Sequence, residues 1–113
     1  MLPDKDRTRL LHMRDHGREA IALVAGRTRE DLDRDRLLNL SLVRLLEIVG
    51  EAAARTSDTA RSLCPQVPWP QIAALRNRLI HGYDSVDFDI LWTILQKELP
   101  PLVEQVEHLL EHE

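Results

Sequence analysis

Residues 75 to 84 read LRNRLIHGYD, which gathers two arginines, an asparagine, a histidine and a tyrosine into ten positions. An arginine can grip a phosphate or carboxylate through its planar fork of donors. A histidine titrates close enough to neutrality to accept or donate a proton there, and this stretch supplies one at position 81. Anion binding beside a proton-transfer group would suit cleavage or transfer at a phosphate. The spacing by itself argues less. On an ideal helix Arg76 and His81 are separated by about 140° of rotation and about 7.5 Å of rise, so they do not share a stripe. Geometry alone favours an exposed, Arg-rich helix face whose last residue, a histidine, complements the helix dipole.

Elimination points back to the same stretch. The four glycines stand at 17, 26, 50 and 82, so no Gly-rich phosphate loop exists. There is no HExxH sequence and no Cys/His cluster at metal-ligand spacing, so neither a metal nor a cofactor is expected. His12 with His16, and His108 with His112, are four apart but lack a third ligand nearby, and read as surface pairs. The single cysteine, Cys64, excludes an internal disulfide, and nothing around it marks an activated thiol. No serine stands at a nucleophile elbow.

The elements that must position this stretch are helical. Apolar residues make up 43% of the 113 positions and aromatics 4%, so an aliphatic, leucine-rich core is expected in a single all-α domain spanning residues 1–113. No apolar run approaches the roughly 20 residues of a membrane span, and the charged N-terminus MLPDKDRTRL has no signal-peptide character. A cytoplasmic protein with no membrane partner follows. Residues 1–81 hold 14 Lys/Arg against 11 Asp/Glu, a net +3, whereas residues 82–113 hold one Lys and eight acids, a net −7. Thirteen of the fifteen basic residues are Arg. Any nucleic-acid contact must therefore be local, because the whole chain carries −4.

Helix one is expected from about Asp4 to Val24, with Leu10, Met13, Gly17, Ile21 and Val24 at steps of three and four. Thr28 and Asp31 have capping-box spacing, which starts helix two there and carries it to about Arg55. Within it LLNLSLVRLLEIV is apolar around most of its circumference. Such a helix must be covered on several sides, and a homodimer is the economical way to do so. Ser41, Arg44, Glu47, Glu51 and Arg55 form one polar stripe. It reads as a solvent edge with a Glu51–Arg55 pair, or alternatively as a groove lined by Glu51. After a short turn near Thr59–Leu63, CPQVPWP breaks the chain, with Trp69 plugging the core and Pro70 opening helix three. That helix is expected from Pro70 to His81, ended by Gly82. The last segment starts at Ser85 or Asp87. Its apolar positions keep helical phase across Pro100-Pro101, which favours one kinked helix or two nearly coaxial ones. The architecture is an up-and-down bundle of four to five main helices.

Beyond spacing, RNRLIHGY matches the Arg-x4-His-x-Tyr motif of the HepT-like toxins, a branch of the HEPN superfamily. IVGEAAARTSD, VPWPQIAALRN and VDFDILWTILQKELPPL resemble the same family in order and spacing, so the likeness covers about residues 8–110. It implies a dimeric helical bundle that brings two copies of the motif together. It also implies a metal-independent ribonuclease that acts as the toxin of a bacterial type VII-like toxin–antitoxin pair. The partner would be a minimal nucleotidyltransferase, which silences the toxin by attaching nucleotide to the motif tyrosine and can build a higher complex with it. Carried over by position, Arg76 and His81 are catalytic, Asn77 is the polar companion, and Tyr83 is the modified residue. Gly82 occupies the variable place between His81 and Tyr83 and should leave Tyr83 accessible. RNA is the implied substrate and no DNA partner is expected. A different class of function uses the same residues: a non-catalytic dimer that only binds the nucleotidyltransferase. A helical-bundle ligand carrier would need a polar cofactor pocket that the sequence does not show.

Overall fold

The computed structural model describes residues 2–112, and most of them are helical. Helix α1 runs Asp4–Val24, as its uninterrupted apolar period requires. Leu10, Met13, Gly17, Ala20 and Val24 are buried, whereas Ile21 is only partly covered. Gly17 marks the crossing with the C-terminal helix, since a Cβ there would stand 2.6 Å from Val103 Cγ2. A tight turn at Gly26, with φ of 76°, then reverses the chain.

The expected second helix is divided. Thr28 N–H donates to the Asp31 carboxylate at 2.8 Å, one arm of a capping box, but the helix that follows, α2, spans only Asp31–Arg34. Asp35 adopts extended backbone (φ −106°, ψ 96°) and its side chain accepts from Leu38 N–H at 3.0 Å, so α3 begins afresh at Arg36 and continues to Arg55. An N-cap needs that non-helical backbone to reach the free amides of the first turn. The break is pinned by buried Asn39, whose side-chain amide donates to the Leu32 carbonyl at 2.8 Å.

Helix α3 packs against α1 on one side and against α5 and α6 on another. Its buried positions include Leu38, Leu42, Leu45, Leu46 and Val49. The rest of its apolar circumference is not fully covered: Leu37 is 79% exposed and Leu40 49%. The short α4 (Asp58–Ser62) is capped by Ser57. Trp69 is buried and donates from Nε1 to the Cys64 carbonyl at 3.0 Å, so it does plug the corner made by CPQVPWP.

The segment expected as one helix from Pro70 to His81 is instead three pieces. Helix α5 covers Trp69–Ala73, α6 covers Leu75–Leu79, and Ile80–His81 form strand β1. This strand pairs antiparallel with β2, Ser85–Val86, placing Ile80 opposite Val86 and His81 opposite Ser85. Helix geometry is abandoned at Ile80 (φ −102°, ψ 123°), and Gly82 supplies a φ of 74° that side-chain-bearing residues rarely adopt. The glycine thus turns a hairpin; it does not cap a helix.

Asp87, and not Ser85, caps the last helical segment by accepting from Asp89 and Ile90 N–H, both at 3.0 Å. Helix α7 (Phe88–Thr93) passes through a π turn at Ile94–Glu98 into α8 (Leu99–Glu111). Pro100 and Pro101 lack amide protons and their rings crowd carbonyls one turn back. The wider π turn directly before them accommodates both defects. The helical phase survives, and Leu91, Leu95, Leu99, Leu102 and Val106 are all buried. No helix among the described residues is long and apolar enough to cross a membrane.

Candidate functional site

Two fully buried leucines, Leu75 and Leu79, fasten α6 to the core and turn the residues between them outward. Arg76 and Asn77 are exposed. Close packing beneath makes this placement possible. A Cβ on Gly50 would lie 3.1 Å from the Ile72 carbonyl oxygen and 3.2 Å from Leu75 Cβ, so the backbone leading into α6 lies directly on α3 at this glycine.

Arg76 meets Glu47 of α3, with Nε 3.3 Å from Oε2. The contact is long for a charge-assisted hydrogen bond, and the Arg76 side chain is 68% exposed. Glu47 therefore steadies the guanidinium through Nε and leaves its terminal nitrogens open to a second anion. Arg78, on the same short helix, is used differently. Its Nη1 and Nη2 donate to the two oxygens of Glu98 at 2.8 and 2.7 Å. That hydrogen-bonded pairing raises the arginine further above its ordinary range against the opposing effect of burial. Arg78, to which the sequence assigns no role, is a structural tie between α6 and the π turn.

His81 and Tyr83 lie beyond the helix. Side chains alternate along a strand, so Ile80 is partly buried against the core while His81 is exposed. Tyr83 stands at the hairpin tip with full exposure, 103%. The ideal-helix separation of Arg76 from His81 no longer applies, because the helix ends between them. Arg76 is joined to Glu47, whereas the side chains of Asn77, His81 and Tyr83 hydrogen-bond to nothing among the described residues. A shallow groove of about 170 Å³ flanks the hairpin, with Leu40 and Val43 of α3 facing Ile80, Tyr83 and Val86.

The other candidates are quiet. Cys64 is buried, and burial pushes its thiol up, away from the reactive thiolate. His16 and His112 each hold the backbone carbonyl four residues back, at 2.8 and 2.9 Å. Among the described residues no group of three or more His, Cys, Asp or Glu has metal-binding placement. Glu51 and Arg55 pair at 2.7 Å, as the polar stripe implies. Glu47 is the site residue that sequence reasoning missed as a partner of Arg76. The two are 29 positions apart, and no local period connects them.

The fold and site define a mostly helical protein that presents a polar motif on a one-turn helix and the hairpin after it. Residues 13–109 match the family described as Ribonuclease HepT-like, and the chain belongs to that family. It is 40% identical over 93 residues to a Caldanaerobacter subterraneus subsp. tengcongensis protein named "Putative RNase", covering 82% of this chain and 83% of the relative. It is 36% identical over 95 residues to the "Probable ribonuclease HepT" of Thermococcus cleftensis, covering 80% and 86%. A Methanocaldococcus jannaschii protein named "Putative RNase" is 28% identical over 110 residues, covering 96% and 91%. No solved structure matches significantly.

Proposed function

We propose that this chain is a metal-independent endoribonuclease in which Arg76 holds the scissile phosphate and His81 moves the proton. The observation that carries this reading is the complete exposed set Arg76, Asn77, His81 and Tyr83 on α6, fastened by buried Leu75 and Leu79, and on the hairpin after it, in a chain of the HepT-like family. The nucleophile is the substrate's own 2′-hydroxyl, so no protein nucleophile is needed. The 2′-oxygen bonds to phosphorus, the 5′-oxygen leaves, one proton is removed from the hydroxyl and one is delivered to the leaving group. The open Arg76 nitrogens stabilise charge building on the phosphate oxygens. Asn77 supports the same phosphate as a neutral donor.

One histidine supplies one proton-transfer group, and a second copy of the motif across a homodimer supplies the other. The exposed Leu37 and Leu40 support a dimer contact at the N-terminal end of α3. Tyr83 is the point at which a minimal nucleotidyltransferase antitoxin attaches nucleotide. The added bulk and phosphate charge, two residues from His81, exclude RNA by repulsion and blockade. In this reading the chain is the toxin of a toxin–antitoxin pair.

The test is RNA cleavage by purified protein in the presence of chelator, comparing wild type with His81→Ala. Loss of cleavage with an unchanged circular dichroism spectrum supports the assignment. Undiminished cleavage in the variant overturns it, and a wild type that binds the transferase without cleaving RNA makes the chain a binding subunit. Intact-mass measurement after co-expression with the transferase should find nucleotide on wild type and none on Tyr83→Phe. Light scattering should find a dimer that Leu37→Lys/Leu40→Lys converts to monomer.

A further inference from the structure

A second concave surface lies beside the motif, lined by none of its residues. Between α1 and the C-terminal half of α3 runs a groove of about 490 Å³, walled by Lys5 and Arg9 on one side and by Arg44, Glu51 and Arg55 on the other, with half-buried Ile48 on its floor. Four cations face one carboxylate in a protein whose net charge is −4. The carboxylate is already taken, since Glu51 pairs with Arg55 at 2.7 Å. Arg9 spends one nitrogen on the Arg55 carbonyl. Lys5 and Arg44 have no ion pair or side-chain hydrogen bond among the described residues. Several arginines elsewhere are neutralised, Arg14 by Asp15, Arg18 by Glu107, and Arg29 by Asp33 and Asp89. Exposed Arg7 and Arg34 also have no ion pair among the described residues, but the groove gathers its cations in one cleft. Unspent positive charge in a cleft with low-dielectric walls concentrates the field and attracts anions.

We infer that this groove is a secondary binding site for the phosphate backbone of single-stranded RNA, holding the substrate strand beyond the point of cleavage. The inference rests on the ribonuclease reading. Two observations select the ligand. Packed helices lie roughly 8–10 Å apart axis to axis, so the furrow over the α1–α3 seam is of a width that seats one strand and is too narrow for a duplex. The groove also adjoins the motif: Arg44 precedes Glu47, the anchor of Arg76, by three residues, about 4.5 Å along α3. A strand leaving Arg76 therefore crosses α3 at Arg44 and enters between Arg44 and Lys5. Half-buried Ile48 offers an apolar floor against which a ribose can rest.

The experiment uses the full chain and two lengths of oligouridylate: a dinucleotide, and a fluorescein-labelled strand of roughly twelve nucleotides, long enough for a single-strand site. A version of the long strand with 2′-O-methyl riboses cannot be cleaved and reports binding alone. For Lys5→Glu/Arg44→Glu the uncleavable strand should bind at least about tenfold more weakly, with the dependence of log K on log salt shallower by about two. KM for the long substrate should rise in parallel while dinucleotide cleavage is retained. The single variant Arg44→Ala, at an exposed unpaired position, should show the same pattern with a slope change of about one. Unchanged affinity and salt slope in both variants overturn the proposal, as does an equal loss on dinucleotide and long strand. Unchanged RNA affinity with a lowered oligomeric mass also overturns it, because the groove would then hold the acidic C-terminal part of a second copy. If wild type cleaves neither substrate, the ribonuclease reading fails, but the uncleavable strand still tests the groove.

Discussion

Arg78 and Glu98 face each other through two parallel hydrogen bonds of 2.8 and 2.7 Å, and so fasten α6 to the π turn 20 residues further along the chain. Both side chains are partly covered, 30% and 24% exposed. Arg78→Ala leaves a half-buried carboxylate without its donors, which costs about 1–3 kcal/mol. Arg78→Lys keeps the charge but loses the fork, and should recover only part of that. Chemical denaturation of both variants checks the order. Since α6 carries Arg76, RNA cleavage should fall in Arg78→Ala even at temperatures where the protein stays folded.

A second tie joins α1 to the cap of α4. Buried Asp6 accepts from the Ser57 amide at 2.9 Å and from the Ser57 hydroxyl at 2.7 Å. Burial works against the charged carboxylate, but the two Ser57 hydrogen bonds and nearby Arg9 outweigh it and hold the group below its ordinary value. A carboxyl whose folded value is depressed contributes stability that is complete above its unfolded value and lost as pH falls through the folded one. Asp6→Ala should therefore destabilise by about 1–3 kcal/mol at neutral pH, chiefly by stranding the Ser57 amide. The gap between wild type and variant should narrow as pH falls below about 4, the ordinary value for an aspartate, because only the part that depends on the charged carboxylate is lost. Denaturation midpoints measured at several pH values check this, and a gap that widens on acidification would contradict the assigned charge state.

These ties explain why some of the architecture was legible and some was not. Helix α1 and the α7–α8 segment carry long uninterrupted apolar periods, and Asp87 has the chemistry of a cap, so residue types alone placed them. The division of the second helix turns on a single aspartate adopting extended backbone. The strand pair after α6 has two residues on each side, too few to show a period of two. Arg76 with Glu47, Arg78 with Glu98 and Asp6 with Ser57 are 29, 20 and 51 positions apart, and only the folded chain brings them together. The candidate site was found through likeness to a family. Helix geometry argued against it because it assumed a helix that ends at Leu79.

Gly50 offers a test of how closely the site depends on packing. An added Cβ would sit 3.1 Å from the Ile72 carbonyl oxygen and 3.2 Å from Leu75 Cβ, closer than ordinary van der Waals contact. Alanine gains up to about 1 kcal/mol in helix propensity over glycine, while overpacking a filled core costs about 1–3 kcal/mol. The cost should prevail, because one obstructing atom belongs to the backbone and Leu75 is fully buried. Gly50→Ala should lower the melting temperature, and Gly50→Val should lower it further. A stabilised alanine variant would mean that the turn between α5 and α6 yields easily.

Glu47 poses the finest question about Arg76, because its carboxylate can act in two opposing ways. Under the proposed reaction it would steady the guanidinium that holds the phosphate, and it would also compete with that phosphate for the same charge. The contact is 3.3 Å long and Arg76 is 68% exposed, and ion pairs so accessible to water are worth about 0–1 kcal/mol. Neither effect can then be large. Glu47→Gln should change the cleavage rate by less than about tenfold, since tenfold corresponds to about 1.4 kcal/mol. If steadying dominates, kcat falls and KM is unchanged; if competition dominates, KM falls as the phosphate gains affinity. Arg76→Ala should abolish cleavage in either case. Steady-state kinetics on the single variants separate the two roles, and a loss in Glu47→Gln as deep as that in Arg76→Ala would show that the carboxylate itself takes part in the reaction.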